Sequence, residues 1–270
     1  MGAENEWGRH LAGKVAIVTG SGRGIGKGIA SVLANDGAAV AVADIAGEAA
    51  EATAEEIRQL GGDAIGVSVD ISSRTQVAHM VEKVRERYGK VDIIVNNAAI
   101  IQAKPILEIT EDEWLRVMRV NALGTFLCCQ AIAPLFIEQK WGRIINVSSP
   151  ATVSPSTTTP HYGESKAAIW HMTRSFAKLL APHGPITSNC VTPAGVETPM
   201  WNEDLDRDWR LMGKSAQEVL AERFPDPPLL GRRVQPSDLG YTVSWLCSDR
   251  ADMLTGQNFN CTGRSDDALH

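Results

Sequence analysis

The chain has 270 residues, 44% hydrophobic and 21% charged, with a net charge of -6 and a pI near 5.6. This is ordinary globular composition, and the acidic balance argues against nucleic acid or an anionic membrane as the main partner. It leaves small anionic ligands open, because local groups are enough to bind those.

From its start, the 1–13 stretch lacks an apolar core of signal-peptide length. Met1-Gly2 is how a myristoylation motif begins, but Glu6 stands where that motif needs Ser or Thr. Residues 15–18 form a short apolar run, and 25–35 have helical character. Residues 40–43 are apolar again, and 48–60 form a helix rich in Ala and Glu. Strand 65–69 precedes helix 75–87, strand 93–95 precedes a long helical stretch over 111–138, and strand 144–147 precedes a helix carrying Tyr162 and Lys166. Residues 187–191 make a sixth strand. Strands apolar throughout and separated by helices predict a parallel sheet covered on both faces. Right-handed crossovers then give an α/β, doubly wound (Rossmann) fold. With no linker, internal repeat or low-complexity tract, residues 1–270 read as a single domain. No stretch reaches the roughly 18 unbroken apolar residues of a membrane span.

The 200–234 segment breaks this rhythm. It is long and highly charged and includes Pro225-Asp226-Pro227-Pro228. It follows the sixth strand, at the sheet end where ligands bind in such folds, so it is expected to be a substrate lid or loop. Five cysteines (Cys128, Cys129, Cys190, Cys247, Cys261) are an odd number without C-x-x-C spacing. Buried free thiols in a reducing cytoplasm are therefore expected, with no metal site.

Between the first strand and helix lies Thr19-Gly20-Ser21-Gly22-Arg23-Gly24-Ile25-Gly26. Glycines here permit a tight turn and close approach of a diphosphate, and the helix N-terminus offers free N–H groups. Asp44 ends the second strand, twenty positions after Gly24. A carboxylate there accepts from both hydroxyls of an adenosine ribose and repels a 2′-phosphate, which predicts NAD rather than NADP. Arg23 argues the other way, since a guanidinium in this loop can pair with such a phosphate. Asp70-Ile71 and Asn96-Asn97-Ala98-Ala99 fall at the same sheet edge, beside the adenine and ribose ends, although Asn96 and Asn97 also suit a turn.

Ser149 follows the fifth strand, and thirteen positions later comes Tyr162-Gly163-Glu164-Ser165-Lys166. Residues four apart share a helix face, so phenol and ammonium point into one space. A fixed ammonium favours phenolate and lowers the phenol pKa, giving a proton-transfer group usable near neutral pH.

Together these residues resemble the short-chain dehydrogenase/reductase family. The matching pieces are Thr19-Gly20-x-x-x-Gly24-x-Gly26, Asp70, Asn96-Asn97-Ala98-Ala99, Asn121, Ser149, Tyr162-x-x-x-Lys166 and Pro193-Ala194-Gly195-Val196-Glu197-Thr198, over 14–263. The chain departs from the family pattern at Ala99 and Ala194, where Gly is commoner. It departs again at 256–263, which lacks the usual Asp-Gly-Gly.

The resemblance implies hydride transfer between a nicotinamide ring and a carbon bearing oxygen. It maps the family's catalytic tetrad onto Asn121, Ser149, Tyr162 and Lys166, with Ser148 as the alternative serine. Tyr162 would be the acid/base on the substrate oxygen, and Ser149 would hold that oxygen. Lys166 would depress the Tyr162 pKa and bind the nicotinamide ribose, and Asn121 would position Lys166 through water. The cofactor residues would be Gly20, Arg23, Gly24, Ile25, Gly26, Asp44, Asp70, Ile71, Asn97, Tyr162 and Lys166, with the Val196 backbone and the Thr198 hydroxyl at the nicotinamide amide.

Thr198-Pro199-Met200-Trp201 before a charged lid is similar to family members acting on polyols, sugars and vicinal diols or hydroxyketones. Ser154, His161 and Trp201 are the candidate substrate contacts, with Glu197, Asn202 and Glu203 nearby. His161 equally suits a helix start, and Trp201 equally suits anchoring the lid. Long apolar helices suggest subunit contacts, and a homotetramer is expected. The expected function is an NAD-dependent dehydrogenase/ketoreductase for a small alcohol or ketone. The alternatives are a non-catalytic dinucleotide sensor or scaffold, or a ketoreductase for acyl or steroid substrates.

Overall fold

The computed structural model describes residues 9–263, apart from 197, 216 and 220–228. Its frame is one parallel sheet of seven strands in the order β3-β2-β1-β4-β5-β6-β7. These are β1 (Val15–Thr19), β2 (Ala39–Asp44), β3 (Asp63–Ser68), β4 (Ile93–Asn96), β5 (Gly142–Val147), β6 (Ile186–Pro193) and β7 (Asn258–Cys261). Helices α1 (Gly24–Asn35), α2 (Gly47–Gln59), α3 (Arg74–Tyr88), α4 (Glu111–Met118), α5 (Gly124–Gln139) and α6 (Pro160–Leu180) follow the first five strands. Then come α7 (Asp206–Leu211) and α8 (Pro236–Cys247) after β6.

Alternation along each strand explains why the strands are apolar on both faces. Ala16, Val18, Val40, Val42, Ile93 and Val95 pack with Ile29 and Leu33 of α1 and Leu239, Val243 and Leu246 of α8. Their neighbours Val15, Ile17, Ala41, Ala43 and Ile94 point the other way, onto Val77, Met80 and Val84 of α3 and Leu127, Ile132 and Phe136 of α5. A one-residue slip of any central strand would exchange these two sets. β1 pairs with both β2 and β4, through Val15↔Ala39 and Ala16↔Ile93 registers. The strand order reverses there, opening a crevice at the carboxyl ends of the strands.

The expected 111–138 helix is continuous in direction but not uniform. A π-helical turn, Arg119–Leu123, joins α4 to α5 and places Asn121 in the interior. Such a turn inserts one residue into the ladder and re-aims the side chain it carries. By length and composition the run Glu111–Gln139 passes for a membrane span. Its buried residues from Leu127 to Phe136 instead belong to the apolar cluster on one face of the sheet.

Candidate active site

At the crevice, the chain turns from β1 into α1 on glycines. Gly20 and Gly24 have φ of 62° and 60°, a region that disfavours side chains. A Cβ on Gly26 would lie 2.2 Å from the Gly20 carbonyl oxygen and 2.5 Å from Asn97 Nδ2. The loop is held from below: Asn97 Nδ2 donates to the Thr19 and Gly20 carbonyls at 3.0 and 2.9 Å. Thr19 Oγ1 accepts from the Asn97 and Ala98 N–H groups. No side chain caps α1, so its first N–H groups face the crevice.

The resulting groove has a volume of about 520 Å³. Gly20, Arg23, Gly24, Ile25, Asp44, Asp70, Ile71, Asn97 and Thr198 line it, as the sequence leads one to expect. Gly26 sits beneath the loop. Asp44 is fixed by its neighbours, Oδ2 accepting from Gly22 N at 2.9 Å and Oδ1 from Ala46 N at 3.0 Å. Asp70 accepts from the Ser72 N–H and hydroxyl. Asn96 turns inward instead, donating to Asn146 Oδ1 at 2.8 Å, and is a structural residue of the sheet.

A second cavity of about 670 Å³ adjoins the groove, and Ile25, Ile101, Thr198 and Met200 line both. Tyr162, Ser149, Ser154, Val196 and Trp201 also line it, so with Ile25 and Thr198 seven expected site residues meet there. Its walls differ in chemistry. Ser154, Ser156, Thr157 and Thr158 present hydroxyls on one side. Met200, Trp201, Leu205, Trp209, Met212 and Val219 of the 200–234 segment form an apolar side. That apolar side was not legible beforehand, apart from Trp201. The segment is docked by Asp208, whose Oδ2 accepts from Ala103 N at 2.9 Å, and by Leu205, Trp209 and Val219 packing on Ala103. Trp201 serves two ends, packing with its ring tilted against Trp209 at 5.3 Å while lining the cavity. Glu197 and the 220–228 part of the expected lid, including its Pro-rich end, lie outside the described residues.

Tyr162 and Lys166 share one face of α6, with Lys166 Nζ 5.7 Å from the centre of the Tyr162 ring. The Ser149 side chain lies beside the Tyr162 phenol and opposes its upward shift, and Ser149 Oγ accepts from Ala151 N, capping the Pro150–Thr152 turn. One expectation is corrected here. Tyr162 is not acidified by Lys166: burial pushes the phenol above its usual value, opposed only by the Ser149 side chain. Lys166 is itself buried, is lowered to about 8 by desolvation, and donates from Nζ to the Val147 carbonyl at 2.8 Å. Two desolvated groups side by side each favour their neutral forms.

Asn121 is fully buried. Its amide accepts from Ile100 N (2.8 Å) and donates to the Ile100 carbonyl and to Ser165 Oγ, both at 2.9 Å. It therefore ties the π-helical turn to α6 one residue before Lys166. His161 does not reach the cavity. One helix step from Tyr162 rotates it by about 100°, onto Trp114, with ring centres 6.1 Å apart. It is buried with neither ring nitrogen hydrogen-bonded, and desolvation lowers its pKa. Asn202 and Glu203 are exposed, and Glu203 faces Arg23. Among the described residues, no three His, Cys, Asp or Glu side chains gather as metal ligands, and four of the five free cysteines are buried.

Comparison with known proteins agrees with this geometry. Residues 14–209 match the family model described as short chain dehydrogenase. The chain is 37% identical over 256 residues to the (2S)-[(R)-hydroxy(phenyl)methyl]succinyl-CoA dehydrogenase subunit BbsD of Thauera aromatica, covering 94% of this chain and 98% of that protein. It is 36% identical over 252 residues to an (S)-acetoin-forming diacetyl reductase of Staphylococcus epidermidis, covering 93% and 97%. A crystal structure of a short-chain type dehydrogenase/reductase from Mycobacterium marinum superposes with a TM-score of 0.85 at 32% identity, covering 96% and 97%. Proteins of this family are oxidoreductases that bind a nicotinamide dinucleotide. The groove fits one: Gly20 and Gly24 turn the backbone there through positive φ, and a Cβ on Gly26 beneath the loop would collide with the Gly20 carbonyl and displace it.

Proposed function

This chain belongs to the short chain dehydrogenase family, and we propose that it is an NAD-dependent oxidoreductase interconverting a secondary alcohol and a ketone. The observation that carries this reading is the Ser149–Tyr162 pair lining a cavity that opens into the glycine-cradled groove.

Gly20, Gly24, Ile25 and the Arg23 backbone would hold the diphosphate, with Gly26 supporting the loop from beneath, and Asp44 would hold the adenosine ribose. Asp70, Ile71 and Asn97 would meet the adenine side, Lys166 the nicotinamide ribose, and Val196 with Thr198 the nicotinamide amide. When bound, the dinucleotide supplies the hydride chemistry. In its phenol form, which burial favours, Tyr162 gives its proton to a ketone oxygen; as phenolate it takes the hydroxyl proton from an alcohol. Ser149 hydrogen-bonds the same oxygen and supports its developing charge. Lys166, which burial lowers to about 8, shares the helix face of Tyr162 but does not set the phenol's pKa, which burial raises. Asn121 holds the α6 turn from which Lys166 projects. The NAD reading is supported by Asp44, whose anchored carboxylate would repel a 2′-phosphate on the adenosine ribose it holds.

The two-sided cavity supports a substrate whose neighbouring hydroxyl or carbonyl groups meet Ser154 and Thr157. Its carbon body would lie against Trp201, Leu205 and Met212. A vicinal diol or hydroxyketone with an alkyl or aryl arm fits both walls, whereas a bare sugar or polyol leaves the apolar wall unmatched. The diacetyl reductase relative supports this class. The apolar wall also gives weight to an acyl substrate, the kind named for the Thauera aromatica relative. We read the protein as a single domain and a homotetramer of the cytoplasm. Four buried free thiols suit a reducing compartment, and sedimentation tests the assembly.

The deciding experiment follows NADH absorbance across matched polyols, sugars, acetoin-type ketones, steroids and acyl thioesters. Turnover should concentrate on hydroxyketones bearing an apolar arm. Activity confined to steroids would defeat the substrate reading, and turnover with none of the panel would defeat the reaction class.

A further inference from the structure

The groove carries opposite charges from two neighbouring elements. Asp44 is pinned at the end of β2 by Gly22 and Ala46 N–H groups. Arg23 lines the same groove from the glycine loop. Its Nη1 donates to Glu203 Oε2 at 2.8 Å, an ion pair between residues 180 positions apart. Glu203 belongs to the π-helical turn Met200–Leu205, which opens the 200–234 segment. The turn is not loose: the Thr198 carbonyl accepts from Trp201 and Asn202 N–H groups at its start, and Asp208 anchors the helix that continues it.

We propose that Glu203 is a specificity-determining residue for the dinucleotide: it draws Arg23 onto the lid and withholds that guanidinium from a 2′-phosphate. This rests on the NAD reading above and adds a second determinant to Asp44. A guanidinium is a strong partner for a phosphate dianion, so an Arg in this loop would otherwise favour NADP. With Glu203 in place, a 2′-phosphate must break an existing ion pair and then share Arg23 with a nearby carboxylate. The loop and lid thus cooperate, since the same ion pair that ties Arg23 also ties the lid to the cofactor groove. The two side chains are 55% and 63% exposed, so water screens the pair and the effect is graded. Releasing an exposed ion pair changes affinity by about threefold, which sets the expected scale.

Fluorescence titration of NADH and NADPH tests this on the full chain at low ionic strength, with wild type, Glu203→Gln, Arg23→Gln and the double variant. Glu203→Gln should tighten NADPH about threefold relative to NADH. In the Arg23→Gln background the same change should give no gain, which makes the cycle non-additive. Added salt should shrink the gain. An unchanged NADPH-to-NADH ratio in Glu203→Gln overturns the proposal, and so does an equal gain without Arg23. The wild-type ratio is judged separately: tighter NADPH there defeats the NAD reading, while the response to Glu203→Gln still decides the role of Glu203.

Discussion

Replacing Lys166 with methionine should stabilise the fold at neutral pH while removing activity. Lys166 is buried, and desolvation lowers its pKa from 10.5 to about 8. At pH 7 the folded chain therefore carries an ammonium it disfavours by about 3 kcal/mol relative to the unfolded chain. The sign follows from proton counting. Between about pH 8 and 10.5 the unfolded state binds the extra proton, so wild-type stability rises with pH across that window and the penalty is complete below it. Methionine keeps the length and loses the charge, but it abandons the hydrogen bond to the Val147 carbonyl, at a cost of about 1–2 kcal/mol. The variant should thus be about 1–2 kcal/mol more stable at pH 7, and level with or slightly below wild type near pH 10, a swing of about 2 kcal/mol. Urea unfolding of both proteins at equal concentration, at the two pH values, measures this. A stability difference that does not change with pH, or that grows in favour of methionine as pH rises, would refute the argument.

Other expectations are simpler. Gly26→Ala should weaken dinucleotide affinity by at least about tenfold by calorimetry, because a methyl there overlaps the Gly20 carbonyl and shifts the loop; unaltered affinity would count against the cradle. Asp44→Ala should move the NADPH-to-NADH affinity ratio toward NADPH by at least about tenfold, as expected when a like charge is removed from beside the phosphate. His161→Phe should be neutral or stabilising by up to about 2 kcal/mol, since it replaces a buried ring with two unbonded nitrogens. That advantage should increase below about pH 6.5, because desolvation lowers the His161 pKa and the unfolded chain takes the proton first. Thermal unfolding across acid pH checks it; an advantage that shrinks on acidification would mean the ring finds a partner.

The central strands β1, β2, β4 and β5 were legible because burial on both faces demands nearly unbroken hydrophobic sequence, while edge strand β3 and the half-polar β6 were legible from the strand–helix rhythm. β7 was not, since its Asn258-Phe259-Asn260-Cys261 is short, half-polar and lies at the sheet edge. The glycine loop, Asp44 and Tyr162 could be placed because local rules of turn, strand end and helix period fix them. The π-helical turn at Asn121 could not, because one inserted residue leaves the helical pattern of 111–138 intact. The electrostatics of Tyr162 and Lys166 were misjudged for a similar reason. Spacing brings the groups together, but only tertiary burial shows that desolvation sets the direction of both shifts. His161 and Tyr162 are adjacent in sequence yet face different neighbours, which helical rotation makes predictable once α6 is known to begin at Pro160. The apolar lid wall depended on how α7 docks through Asp208, a contact with a residue 105 positions away.

The account stands or falls on Tyr162 as the proton-transfer group. Steady-state turnover of wild type and Tyr162→Phe on the best substrate, with NADH affinity measured in parallel, tests it most directly. We expect turnover to fall by at least about a hundredfold while NADH affinity stays within about threefold. Near-normal turnover in the phenylalanine variant would contradict the account.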